Sequence, residues 1–327
     1  MPPLVRLSRQ LLSFWRGELS PGVAPFRLWV DITSRCNLAC TSCPQRLLPP
    51  EQRRDMPPQV LARLVGECAG RVGLVNLFHR GEPLLHPELG LWVRRFRAAG
   101  CAVRIHTNAT LLDRGRVAML LAAGPDLLTC SLDTLHAGDY AAARRGARLE
   151  RVLAGLAYLL AARRRLGLRR PRVGLLLMGP QRRDPAYRDR LARLRALGLD
   201  RLLWRAPHNW AGAVDGVAPL GAGRRHRCTF PWYGLAVLSD GRVTPCPQDF
   251  FGKLALGLLP EGGLLEAWRG AAAQRLRAAH RQGRLQRFPV CLACDRIRRP
   301  TLLGLPREHL KNFLAESIVG AAVRRPR

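Results

Sequence analysis

From Phe26 to about residue 206 the chain alternates two kinds of hydrophobic pattern. Short apolar runs at 26–33, 72–79, 102–108, 126–133, 171–178 and 199–205 predict strands. Between them, 57–69, 87–99, 113–123, 149–166 and 184–197 repeat apolar residues at helical spacing, and glycines mark many of the helix ends, as at Gly124 and Gly198. Six βα repeats with short connections predict an α/β fold on a parallel sheet, which right-handed crossovers curl into an open barrel. The expectation is a partial (β/α)6 TIM-like barrel over 26–206. Ahead of it, 1–25 reads as an amphipathic extension whose helix packs across the main domain, with a membrane surface as the alternative.

After residue 206 the pattern changes. Residues 207–227, rich in Gly, Ala, Arg and Pro, read as a linker over the barrel mouth. A hairpin with an Asp240-Gly241 turn follows within a small second domain, 228–300, and then a helix at 264–281. Residues 301–327 form another basic amphipathic stretch.

Composition narrows the class. The 327 residues are 47% hydrophobic, ample for one large domain or a barrel with an appendage. No apolar run reaches the roughly 18 residues of a membrane span, and no signal-peptide core is present, so a cytoplasmic protein is expected. Of 54 basic residues 52 are Arg, against 23 acids, for a net charge of +31. Codon bias in a GC-rich genome accounts for Arg in place of Lys, but not for the excess over acids, far outside the roughly 2–8 charges usual for a small domain. A solvated basic surface is the favoured reading; an anionic partner (phosphorylated substrate, nucleic acid or acidic lipid) is the alternative.

Ten cysteines clustered in loops point to metal rather than disulfides. Cys36, Cys40 and Cys43 stand as Cys-x3-Cys-x2-Cys directly after the first strand. Three thiols within eight residues suit one polynuclear centre, since a structural zinc wants a fourth ligand nearby. Three thiolates on a four-iron cluster leave one iron open, which is the mark of a reactive site. Cys228, Cys246, Cys291 and Cys294 make a complete set of four, equally suited to zinc or to a second iron–sulfur cluster. Cys68, Cys101 and Cys130 lack ligand spacing and read as small buried hydrophobes.

The Cys36/Cys40/Cys43 loop resembles the signature of the radical S-adenosylmethionine (radical SAM) superfamily, with Ser42 where many members have an aromatic residue. Three further segments at strand ends resemble that family: Arg80-Gly81-Glu82-Pro83 its Gly-Gly-Glu-Pro, Thr107-Asn108-Ala109 its Thr-Asn-Gly, and Ser131-Leu132-Asp133 its Ser-hydrophobic-Asp. The resemblance implies a [4Fe-4S] cluster on the three cysteines, whose open iron binds S-adenosyl-L-methionine. It also implies that Gly81, Glu82, Pro83, Asn108, Ser131 and Asp133 contact that cofactor, Glu82 through the methionine ammonium and Gly81 by letting backbone approach the ligand. An arginine at 144 or 145, taken as Arg145, is carried over in the same way. His79, His86 and His106, on or near the same rim, read as structural.

Beyond 228, Gly241-Arg-Val-x-Pro-Cys246 and the Leu-Gly-x-Leu…Trp stretch (256–268) resemble the SPASM/twitch extension of these enzymes. Four cysteines rather than seven imply one closed auxiliary [4Fe-4S] cluster for electron transfer. The implied activity is reductive cleavage of S-adenosyl-L-methionine to a 5′-deoxyadenosyl radical, with the electron from a reductase such as flavodoxin or ferredoxin. Hydrogen is then abstracted from a small-molecule substrate, for instance a sugar or phosphorylated compound. A peptide maturase is the first alternative, and a non-catalytic metal protein binding nucleic acid the second.

Overall fold

The computed structural model describes residues 3–178, 185–214, 225–259, 261–302 and 305–307, and up to β6 its strands and long helices fall within the segments that the periodicity marks. Helix α1 (Pro3–Arg16) comes first. Then follow β1 (Arg27–Val30), α2 (Pro58–Cys68), β2 (Leu74–Asn76), α3 (Leu89–Ala98), β3 (Ala102–Thr107), α4 (Arg114–Ala123) and β4 (Leu127–Asp133). A short α5 (Ala137–Ala143), which no periodicity announces, precedes α6 (Leu149–Arg165), β5 (Arg172–Met178), α7 (Pro185–Ala196) and β6 (Arg201–Arg205). The six strands pair in sequence order and all in parallel, giving the partial barrel.

The sheet does not stop at β1. Strand β7 (Gly234–Val237) pairs with it in parallel, and β8 (Arg242–Thr244) and β9 (Gly257–Leu258) add on antiparallel, making nine strands in the order β6-β5-β4-β3-β2-β1-β7-β8-β9. The hairpin expected in a separate domain therefore extends the barrel sheet. Its turn is also longer than two residues. The Gly241 amide donates to the Leu238 carbonyl and the Leu238 amide to the Arg242 carbonyl. Gly241 is left-handed (φ 87°) and Asp240 is not, so Gly241 serves as the bulge residue.

The helix expected at 264–281 is two helices, α8 (Leu264–Arg269) and α9 (Ala271–Gln282), followed by the short α10 (Pro289–Leu292). Gly270 breaks it: its ψ of 167° is extended, and a Cβ there would stand 2.7 Å from the Glu266 carbonyl oxygen. Residues 215–224 of the expected linker and most of the C-terminal stretch lie outside the described residues. Among the described residues no helix is long and apolar enough to cross a membrane.

Alternation along the strands divides the apolar residues between two cores. Leu28, Val75, Val103, Leu128, Val173 and Val237 face outward and pack beneath the helices with Leu61, Trp92, Phe96 and Leu156. Inside the barrel, Phe26, Trp29, Leu74, Tyr233 and Ala236 form a smaller core that Leu7 of α1 joins. The N-terminal helix thus packs on the main domain, as the favoured reading had it. Its Arg6 donates to the Gly70 carbonyl at 2.9 Å.

One buried ion pair ties the hairpin to the barrel. Asp31, fully buried just past β1, accepts from Arg80 Nε (2.7 Å), from the Arg80 amide (3.1 Å) and from the Ser239 amide in the hairpin turn (3.1 Å). Arg80 Nη2 donates to Ser239 Oγ at 2.9 Å, and Ser239 Oγ meets Ser34 Oγ at 3.2 Å. Arg80→Ala leaves the Asp31 carboxylate buried without its countercharge and should cost about 3–5 kcal/mol in a denaturant titration. A loss below about 1 kcal/mol would mean that the pair contributes no more than a surface ion pair.

Candidate metal and cofactor site

The three-cysteine loop leaves β1 and lies across the barrel rim. Its backbone is anchored on the segment around the end of α5: the Ala39 amide donates to the Arg145 carbonyl (3.3 Å) and the Thr41 amide to that of Ala143 (3.1 Å). Within the loop, the Cys43 amide donates to the Cys40 carbonyl at 3.2 Å. All three thiols are free and half-buried. Burial pushes Cys36 up to about 11 and Cys43 to about 12, and raises Cys40, which Arg144 opposes. Cys43 also feels both other thiols, and Cys36 feels Cys40, so the three face a common space. Clustered, desolvated sulfurs hold their protons until a metal replaces them, so the donor set fits an iron–sulfur cluster. The Tyr140 hydroxyl, buried beside Cys40 and Arg144, has no hydrogen-bond partner among the described residues.

Glu82 is buried at the end of the β2 segment. Its Oε1 accepts from Thr107 Oγ1 (2.7 Å) and the Leu84 amide (3.0 Å), and its Oε2 from the Asn108 amide (2.7 Å). Burial raises its pKa, and these donors oppose the rise. The carboxylate therefore joins the ends of β2 and β3, with one Oε2 lone pair to spare. Gly81 lies against protein backbone: a Cβ would stand 2.3 Å from the Arg35 carbonyl and 2.4 Å from that of Thr33. Pro83 begins a buried turn, Pro83–Leu85.

Asn108 continues the brace. Its Nδ2 donates to Asn37 Oδ1 (2.9 Å), and its Oδ1 accepts from the Thr110 amide (2.9 Å) and hydroxyl (2.6 Å). Asn37 Nδ2 donates in turn to Thr110 Oγ1 (2.8 Å), so the β3 end holds the cysteine loop. Ala109, where the family motif has glycine, keeps the left-handed backbone (φ 62°). Ser131 is half-buried on β4 beside Leu176, just before a bulge that turns Asp133 left-handed (φ 66°). Both Asp133 oxygens are held by Arg144, through Nε and Nη2, each at 2.8 Å. Of the two adjacent arginines, Arg144 is the one that reaches Asp133. Arg145 is exposed, and its part is the carbonyl that receives the Ala39 amide. Spacing alone does not separate two adjacent arginines.

The other four cysteines also come together. Cys228, Cys246, Cys291 and Cys294 line one cavity with Phe230, Pro245, Leu254, Leu276, Val290 and Ile297. Burial raises all four, Cys294 to about 12, and Cys246 feels each of the other three. Among the described residues no His, Cys, Asp or Glu group is arranged to hold a single metal ion; these thiols surround a space instead. Cys68, Cys101 and Cys130 are buried in the outer core, as expected.

Below the rim the barrel lumen is basic. Pairing register and alternation put Arg27 of β1, Arg104 and His106 of β3, Arg172 of β5, and Arg201 and Arg205 of β6 on the face opposite the outer core. Branched apolar residues are the usual filling of such a barrel. Burial, then Arg27, pushes the Arg104 guanidinium down to about 9. His106, stacked on Phe78 at 3.9 Å, is lowered well below its usual range by burial and then by Arg205, Arg104 and Arg27.

A model of the Radical SAM superfamily matches residues 30–186, and one of SPASM, an iron-sulfur cluster-binding domain, matches 228–295. GTP 3',8-cyclase of Streptomyces coelicolor is 30% identical over 282 residues, 83% of this chain and 74% of that protein. GTP 3',8-cyclase 2 of Mycobacterium tuberculosis is 39% identical over 145 residues, 41% of this chain. The chain spans about two fifths of the length of the curated relatives it matches first. Among solved structures, SuiB of Streptococcus suis bound to precursor peptide SuiA aligns with a TM-score of 0.64 at 16% identity, over 88% of this chain and 73% of that one. BtrN in complex with AdoMet and 2-DOIA aligns with a TM-score of 0.57 at 18% identity, over 82% and 92%. These likenesses show the fold.

Glu82→Gln replaces one carboxylate oxygen with an amide that opposes a Thr107, Leu84 or Asn108 donor. It should lower stability by about 1.5–3 kcal/mol, the worth of a hydrogen bond to a charged group. An unchanged denaturation midpoint would show that the carboxylate does not brace the rim.

Proposed function

The chain belongs to the radical SAM superfamily, and from that premise we propose that it acts on a small anionic molecule seated in the barrel lumen. Its cofactors are S-adenosyl-L-methionine and [4Fe-4S] clusters, as its two matched domains imply. We assign Cys36, Cys40 and Cys43 to the cofactor-binding cluster and Cys228, Cys246, Cys291 and Cys294 to the auxiliary one. When bound, the first cluster and its cofactor supply a 5′-deoxyadenosyl radical able to take hydrogen from an unactivated carbon.

The protein's own residues orient, neutralise and exclude. Gly81, Glu82, Pro83, Asn108, Ser131 and Asp133 form the cofactor's seat. Arg144 takes the place given to Arg145, neutralising Asp133 and standing next to Cys40. The Glu82–Thr107–Asn108–Asn37 brace holds the cysteine loop in register with that seat. Auxiliary thiols walled by Phe230, Leu276 and Ile297 sit in a desolvated pocket, which suits electron transfer.

The lumen arginines carry the substrate reading. Below the rim the lumen-facing strand positions hold five arginines and a histidine, and the carboxylate that acts on Arg104 is Asp126, just before β4. A cleft of one sign with low-dielectric walls concentrates the opposite charge. The names of the cyclase relatives, which specify GTP, agree with a phosphorylated small molecule. SuiB's precursor peptide supports the peptide alternative through shared fold alone.

Anaerobic reconstitution should give about eight irons per chain, and about four in the Cys36→Ala/Cys40→Ala/Cys43→Ala variant. Full iron in the triple variant, or zinc at the four-cysteine site, would overturn the assignment. Tripolyphosphate, as an anionic probe, should bind wild-type protein and lose roughly tenfold to hundredfold affinity in Arg104→Gln by calorimetry. Equal binding by both proteins would remove the lumen reading. Deoxyadenosine release stimulated by a peptide and by no phosphorylated small molecule would favour the maturase.

A further inference from the structure

Residues 208–212 lie between the two thiol sets and hold both. Asn209 faces the four-cysteine side, where Nδ2 donates to the Ala293 carbonyl (2.7 Å) and Oδ1 accepts from the Asp295 amide (3.2 Å). Its own amide donates to Asp295 Oδ1 at 3.2 Å. Ala293 and Asp295 flank Cys294. Trp210 reaches the other way, and its indole N–H donates to the Ser42 carbonyl at 3.0 Å, one residue before Cys43. Its ring stands edge-on to Phe250 at 5.4 Å, four residues beyond Cys246, and lies 4.3 Å from the His208 ring.

The backbone here is unusual. Trp210 and Ala211 are both left-handed, with φ of 51° and 55°. Such a conformation in successive non-glycine residues persists only where the surroundings over-determine it. Gly212 closes the turn against the same loop, since a Cβ there would stand 2.8 Å from Ala293 Cβ. A strained turn with one end fixed on the Cys294 loop and the other on the Cys43 loop transmits displacement rather than absorbing it.

We propose that Asn209–Trp210 is a strut through which the four-cysteine site sets the position of the Cys43 end of the three-cysteine loop, with Trp210 as a positioning residue. This rests on reading both thiol sets as cluster sites. Filling one site then favours filling the other, and the coupling is reciprocal. Among the described residues the hydrogen bonds of Asn209 go to Ala293, Asp295, Gly212 and Val214, so the link from it to Ser42 runs through Trp210.

The test is hydrogen–deuterium exchange of the iron-loaded protein, read at the amides of Ala39, Thr41 and Cys43, each of which is hydrogen-bonded. Trp210→Phe keeps an aromatic ring and removes the donor to Ser42, and should speed exchange there roughly threefold to tenfold, the scale of one hydrogen bond. Asn209→Ala should speed the same amides, and the double variant should exceed neither single change by more than about twofold. Asn209→Ser, which keeps a small uncharged polar side chain and shortens it away from Ala293 and Asp295, is the milder cut if the alanine variant does not fold. The affinity for S-adenosyl-L-methionine should fall in step with the faster exchange. Wild-type exchange at 39–43 in an iron-replete Asn209 variant, or additive effects in the double variant, would overturn the strut. Wild-type protein that takes up no iron would instead sink the cluster assignment, and iron analysis of the same samples separates the two failures.

Discussion

A carboxylate without water is the constraint from which the rim follows. Asp31 ends β1 in full burial, and a charge there is tolerable only if it is neutralised and hydrogen-bonded. Arg80 neutralises it from the β2 end, and the Ser239 amide completes its shell from the hairpin turn. Three chain segments, 208 residues apart at the extremes, are thereby set in one register. The cysteine loop starts five residues after Asp31, and β8 leads to Cys246 within two residues, so both thiol sets hang from this pair. Continuing the sheet from β1 into β7 follows from the same contact.

The elements were legible because each strand and helix carries its own period and its own stop. Relations between elements were not. Arg80 stands where the family motif has glycine, and spacing gives no hint that its partner is Asp31 on another strand. The break at Gly270 leaves no trace in the apolar pattern, which runs helically through it, because the cause is a close carbonyl rather than a change of face. Helix α5 is too short, at seven residues, to show a period. Arg144 and Arg145 differ only in which way the chain turns after α5, and that turn depends on the Thr41 and Ala39 amides finding carbonyls there.

The thiol sets were legible from spacing, but the bracing that the polar residues around them provide was not. Gly81 is needed because the loops that follow β1 and β2 nearly touch, and Glu82 because the segments that follow β2 and β3 are joined across a dry gap. Asn108 spends its side chain on Asn37 and Thr110. Pre-organisation of a rim requires that its groups satisfy one another first, which leaves few lone pairs for a ligand and places each of them.

The arginine surplus is accommodated in the same currency. With 23 acids for 52 arginines, ion pairs cannot absorb the charge, and a solvated surface does not account for all of it. Backbone carbonyls take part of the load. Arg163 donates to the carbonyls of Pro171 and Gly198 beside its ion pair with Asp200, and Arg299 to that of Pro207 beside its buried pair with Asp295. Arg277, fully buried, donates to the Pro231 and Leu19 carbonyls while its guanidinium lies 4.4 Å from the Trp268 ring centroid. Carbonyls at helix and loop ends carry partial negative charge and lack intrahelical donors, so a planar five-donor group suits them better than an ammonium does. Such bonds satisfy hydrogens without cancelling charge. Charge therefore stays positive where arginines gather with few carboxylates, and the lumen-facing positions between β1 and β6 are one such place.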